Sequence, residues 1–129
     1  MREDRGWWGR ALLAGAGLLG ASGVILGAAG AHLSGGNFAQ LASTFLLLHA
    51  AAIPGLLGAP IGSEKARRVV ASLLACGAAL FSGDLGWLAF TGRTLVSGMA
   101  PLGGLLLICG WIGLCLSAIL FGYRSSMSR

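Results

Sequence analysis

The stretch Ala11–Ala31, ALLAGAGLLGASGVILGAAGA, carries no charged side chain. A helix rises about 1.5 Å per residue, so a run of this length reaches across the roughly 30 Å hydrocarbon core of a bilayer. Three further apolar runs follow at about 39–59, 69–91 and 101–123, joined by short connections. The four runs fill most of the 129 residues, of which 56% are hydrophobic and 10% charged, and the mean hydropathy is +0.83. An average globular chain has about 25% charged residues, and a soluble core of this size could not bury so much apolar surface, so the excess faces lipid. The expected fold is all-α: a single integral membrane domain over residues 1–129, built as a four-helix transmembrane bundle with the lipid bilayer as its first partner.

Nine Lys and Arg against four Asp and Glu give a net charge of +5. The basic residues are scattered between apolar runs and form no single face, so no nucleic-acid partner is expected. Eight of the nine fall on one side of the threaded chain: Arg2, Arg5 and Arg10, then Lys65, Arg67 and Arg68, then Arg124 and Arg129, with Arg93 alone opposite. The positive-inside rule makes that side cytoplasmic and puts both termini there. Trp7, Trp8, Trp87 and Tyr123 stand at the ends of the runs, where a membrane-interface belt belongs. Ala29-Gly30-Ala31 has the small residues of a signal-peptidase site, but the apolar run before it exceeds the roughly 7–15 residues of a signal sequence, which favours a retained span.

Lipid gives no hydrophobic drive for helix association, so close backbone approach through small residues must supply it. Gly20, Gly23, Gly27 and Gly30 recur at steps that put them on one stripe of the first helix, and Gly23 and Gly27 form a GxxxG pair. A second stripe is expected in Ser72, Cys76, Ala79, Gly83 and Gly86 on the third helix, and a third in Gly103, Gly110 and Gly113 on the fourth. Cys76, Cys109 and Cys115 fall inside spans without Cys-x-x-Cys spacing, so they read as small fillers at helix contacts and no metal site is expected. Pro54 frees the carbonyl of Ala50 and is expected to kink the second helix, whereas Pro101 suits the opening turn of the fourth.

An ionisable side chain inside a span costs roughly 2.5–3.5 kcal/mol, so each one requires a partner, water or a function. His32 ends the first run, His49 lies near the midplane of the second, and Asp84 is roughly 22 Å along the third by helical rise. The structural expectation for Asp84 is a hydrogen bond to His32, Asn37, Thr91 or a freed backbone group. For His49 it is a hydrogen-bonded imidazole at a helix crossing. The competing expectation is a proton or cation relay through these three residues, although the other half of the membrane offers nothing ionisable to continue it. Haem ligation by His32 and His49 is disfavoured by their roughly 15 Å difference in depth. No nucleophile elbow, metal-binding His-Glu cluster, phosphate loop or carboxylate pair is present, so neither an enzyme nor a cofactor is expected.

Several motifs occur in order: Gly27-Ala28-Ala29-Gly30-Ala31-His32, His49-Ala50, Leu80-Phe81-Ser82-Gly83-Asp84, Thr91-Gly92, Pro101-Leu102-Gly103-Gly104 and Gly110-Trp111. Together, over roughly Ala11–Leu120, they resemble the domain of unknown function 423 family, the YgdD-like small bacterial inner-membrane proteins, similar also to eukaryotic transmembrane protein 256. The resemblance implies a four-helix protein of the bacterial inner membrane and brings no assigned activity. One departure stands out: the family's Tyr-Gln ahead of the second-helix His is replaced by Phe45-Leu46-Leu47-Leu48. The polar link from the second helix to the first is therefore expected to be thinner, with Asp84 as a candidate to compensate.

The function expected from these readings is that of a structural or accessory subunit. It would pack its glycine-rich surfaces against other membrane helices, in a larger complex or a homo-oligomer. The alternative is a small proton-coupled carrier using His32, His49 and Asp84. A third reading is a lipid or quinone groove lined by Phe81, Trp87 and Trp111.

Overall fold

In a computed structural model of the protein, residues 3–32 and 36–121 are described; Arg2, Tyr123, Arg124 and Arg129 of the topology reading lie outside them. The described residues form four helices, α1 (Glu3–Gly30), α2 (Gly36–Gly58), α3 (Glu64–Thr91) and α4 (Met99–Phe121). All four are long and apolar enough to cross a membrane, the architecture of a small multi-pass membrane protein.

α1 and α3 begin before the apolar runs do. Charged residues end a run of low polarity without ending a helix, and the start of α3 is set by local chemistry instead. Ser63 caps it, its Oγ accepting the Ala66 backbone N–H at 3.1 Å, and Glu64 lies in the first turn. At the other end Gly92 takes the left-handed conformation (φ 71°) and its N–H donates to the Leu88 carbonyl, closing the helix. α2 remains helical through Pro54, and Pro101 stands in the first turn of α4, where its missing N–H is not needed.

α3 is the hub. It packs against each of the other three helices, α1 and α2 also pack together, and the α4 backbone runs along α3 alone. α2 and α4 flank α3 without meeting along their backbones. The apolar core joins Leu12 and Ala16 of α1, Ile53 and Leu56 of α2, Val70, Ala71, Leu74 and Ala78 of α3, and Leu107 of α4. It lies toward the α2–α3 connection, while the opposite half of the bundle is built from small and polar residues.

Candidate functional site

The glycine stripe of α1 faces α2. A Cβ on Gly23 would lie 2.8 Å from Leu47 Cγ, one on Gly27 2.8 Å from Ser43 Oγ, and one on Gly30 2.9 Å from Ala39 Cβ, with Gly20 looser at 3.6 Å from Ala50 Cβ. This close approach uncovers the glycine carbonyls to the neighbouring helix. Ser43 Oγ donates to the Gly23 carbonyl at 2.7 Å, and Gln40 Nε2 to the Gly27 carbonyl at 3.0 Å. The polar link between α2 and α1 is thus carried by Gln40 and Ser43, about two turns and one turn before Leu46.

α3 and α4 touch most closely at Gly77 and Gly103. A Cβ on Gly77 would stand 2.9 Å from the Gly103 carbonyl oxygen, and one on Gly103 would run into the Phe81 backbone nitrogen. Gly110 receives Leu74, whose Cδ2 would be 2.6 Å from an added Cβ. The small-residue stripe expected on α3 meets α1 only at its ends, where Gly86 is buried against Leu26 and Ser72 is half-buried against Trp8; its middle, Cys76, Ala79 and Gly83, is exposed, and only Met99 Cε approaches Gly83, at 3.8 Å. All three cysteines are free and exposed on the outer surface, not at helix contacts.

His49 is 2% exposed. Its Nδ1 lies 2.7 Å from the Phe45 carbonyl oxygen, and Trp111 Nε1 lies 3.2 Å from its Nε2. A carbonyl can only accept and an indole N–H can only donate, so the ring is the neutral tautomer with its proton on Nδ1. Phe45 stacks beside it, and Phe81 of α3 packs on Phe45 at 4.6 Å between ring centres. Trp111 therefore bridges α4 to α2 across the gap their backbones leave.

Asp84, 3% exposed, accepts the Leu95 backbone N–H on Oδ1 at 2.6 Å. It ties the α3–α4 connection down onto α3. His32 is exposed at the end of α1, where its backbone N–H donates to the Ala29 carbonyl. Among the described residues no hydrogen bond joins any two of His32, His49 and Asp84. Asp84 takes the backbone partner from the set of expected alternatives, and its bond goes to the α3–α4 connection, not to α1 or α2.

At the other end, Trp8 Nε1 donates to Ser72 Oγ at 3.1 Å, and Ser72 donates to the Arg68 carbonyl. Trp8 is therefore half-buried and bonded to α3, while Trp7 stays exposed as a belt residue would. Arg68 pairs with Glu64, and Arg67 Nη1 donates to the Ile61 and Gly62 carbonyls at 2.9 and 3.3 Å. Among the described residues Ser82 Oγ is buried without a hydrogen-bond partner.

Gln40, Ser43, Ser72 and Gly77 carry contacts that the sequence reading did not assign to them. For Gln40 and Ser43 a signal existed: polar residues at the start of α2 oppose Gly27 and Gly23 once α1 and α2 are antiparallel.

No curated protein and no solved structure matches the chain significantly. The pattern of one family, described as Protein of unknown function (DUF423), matches residues 26–104, from the end of α1 to the first turns of α4. That range is narrower than the Ala11–Leu120 resemblance. It contains His49, Asp84, Gly77 and Gly103, and it excludes Trp8 and Trp111. Because the match covers more than half of the sequence, the chain belongs to the DUF423 family.

Proposed function

We propose that the protein is an accessory or structural subunit of the bacterial inner membrane, with both termini cytoplasmic, docking on other membrane helices through its outer faces. The observation that supports this reading most is the fate of the intramembrane polar groups. Asp84 holds Leu95, His49 holds Phe45 and Trp111, and Gln40 and Ser43 hold the α1 carbonyls. These groups stabilise the bundle itself. A carrier instead presents its polar groups to a path through the midplane. The placement of Lys65, Arg67 and Arg68 with the Arg residues of both ends supports the orientation.

Reconstituted vesicles with a pH-sensitive dye inside test the reading. Wild type and Asp84→Asn are expected to show the same proton leak and the same assembly in membranes. A proton flux that wild type supports and Asp84→Asn abolishes would replace this reading with the proton-coupled carrier.

A further inference from the structure

Between α2 and α4, with Leu74 of α3 behind it, runs an open groove of about 310 Å³. Ala52, Gly55 and Ala59 form one wall and Trp111 the other, and Ile61 closes the end toward the α2–α3 connection. Of the three aromatics expected to line a pocket, only Trp111 does so here; Phe81 packs on Phe45, and Trp87 is exposed. The lining is hydrocarbon. The indole N–H, its one strong donor, is already held by His49, so what enters the groove is an apolar chain and not a polar head.

The groove runs along α2 from Ala52 to Ala59, roughly 10 Å by helical rise, and is open on its outer side, so it receives part of one lipid acyl chain in the half of the bundle nearest the α2–α3 connection.

Gly55 lines the groove, and nothing lies within 4 Å of a Cβ built on it, so its missing side chain leaves part of the groove open.

Charge identifies the head. The Ile61 carbonyl at the end of the groove is held by Arg67, which also lines a polar hollow of about 340 Å³ with Pro60, Gly62, Ser63 and Glu64. Glu64, the acid described in this segment, is taken by Arg68, and Lys65 adds a further cation. Basic residues at the membrane surface draw anionic headgroups. The geometry points to a lipid site: the α2–α4 groove holds one acyl chain of an anionic phospholipid, with its phosphate at the Arg67 end.

Trp111 reports on the groove directly. The triple variant Trp7→Phe, Trp8→Phe, Trp87→Phe leaves it as the single tryptophan. This protein is reconstituted in phosphatidylcholine vesicles carrying a minor fraction of acyl-brominated phosphatidylglycerol or acyl-brominated phosphatidylcholine. At equal mole fraction the brominated phosphatidylglycerol is expected to quench Trp111 several-fold more strongly. Arg67→Gln should remove that preference, and Gly55→Leu, whose Cβ meets nothing within 4 Å and whose side chain would enter the groove, should reduce both lipids to the level of random contact. Helical circular dichroism and a monodisperse elution profile establish that each variant folds; if Arg67→Gln does not, the Gly55→Leu arm decides. Equal quenching by the two lipids, an unchanged preference in Gly55→Leu, or Trp111 shielded from both by a second copy or another protein would each overturn the lipid site.

Discussion

Trp111→Phe keeps an aromatic ring, though a smaller one, and removes the N–H that His49 accepts. Hydrogen bonds between membrane helices average about 0.6 kcal/mol and reach about 1.7, so denaturation of this variant in micelles should show a loss in that range. The His49 ring nitrogen resonances should meanwhile keep the proton on Nδ1, because Phe45 still accepts it. Asp84→Ala leaves the Leu95 N–H without its acceptor, whereas Asp84→Asn retains a side-chain oxygen. Amide exchange at Leu95 and the adjoining connection is therefore expected to accelerate in the alanine variant and to stay near wild type in the asparagine variant. Ser82 is the opposite case. Its hydroxyl is buried without a partner among the described residues, so Ser82→Ala should leave stability unchanged or raise it; a loss above about 1 kcal/mol would reveal a partner for the hydroxyl. At this scale the sequence marked His49 and Asp84 because charge in a span is conspicuous, but it could not name their partners. Trp111 meets His49 only because α3 holds α2 and α4 at a side chain's distance, a relation between helices that are not neighbours. The partner of Asp84 is a backbone group, which no residue type announces.

Helix contacts make a sharper test. Alanine at Gly103 meets the backbone of α3, which cannot move aside as a flexible side chain can, so Gly103→Ala should cost about 1–3 kcal/mol by overpacking. Gly77→Ala, whose Cβ would lie 2.9 Å from both the Gly103 carbonyl oxygen and Leu107 Cδ2, belongs with it. Gly83→Ala meets only Met99 Cε at 3.8 Å and should be neutral or gain up to about 1 kcal/mol from helix propensity. Thermal unfolding of the three variants side by side checks the order. The spans themselves were readable, since bilayer thickness dictates the length of an apolar run. The α1 stripe was readable too, because Gly20, Gly23, Gly27 and Gly30 keep helical spacing with no rival on that helix. The inward face of α3 was not. In lipid the outer face is as apolar as the inner one, so polarity no longer separates them. Small size then favoured Cys76, Ala79 and Gly83, although the buried line runs through Val70, Leu74, Gly77, Ala78 and Ser82.

For the whole molecule, the arrangement is a three-helix unit of α1, α2 and α3 with α4 attached along one seam. α4 buries only Gly103, Leu107 and Gly110, which leaves most of its surface for lipid or another membrane protein. With Ser43, His49 and Asp84 turned inward, the bundle leaves apolar outer faces free, which suits the proposed docking on other helices. The orientation can be checked with a membrane-impermeant thiol reagent on a cysteine placed at Lys65, in a chain whose three native cysteines are replaced. Labelling is expected from the cytoplasmic face alone. The central claim is that this bundle serves another membrane protein, and native mass spectrometry after gentle extraction from the source membranes tests it most directly. The account predicts a stoichiometric foreign subunit bound to this chain. A bare monomer or homodimer, recovered under conditions that keep known membrane complexes intact, would contradict it.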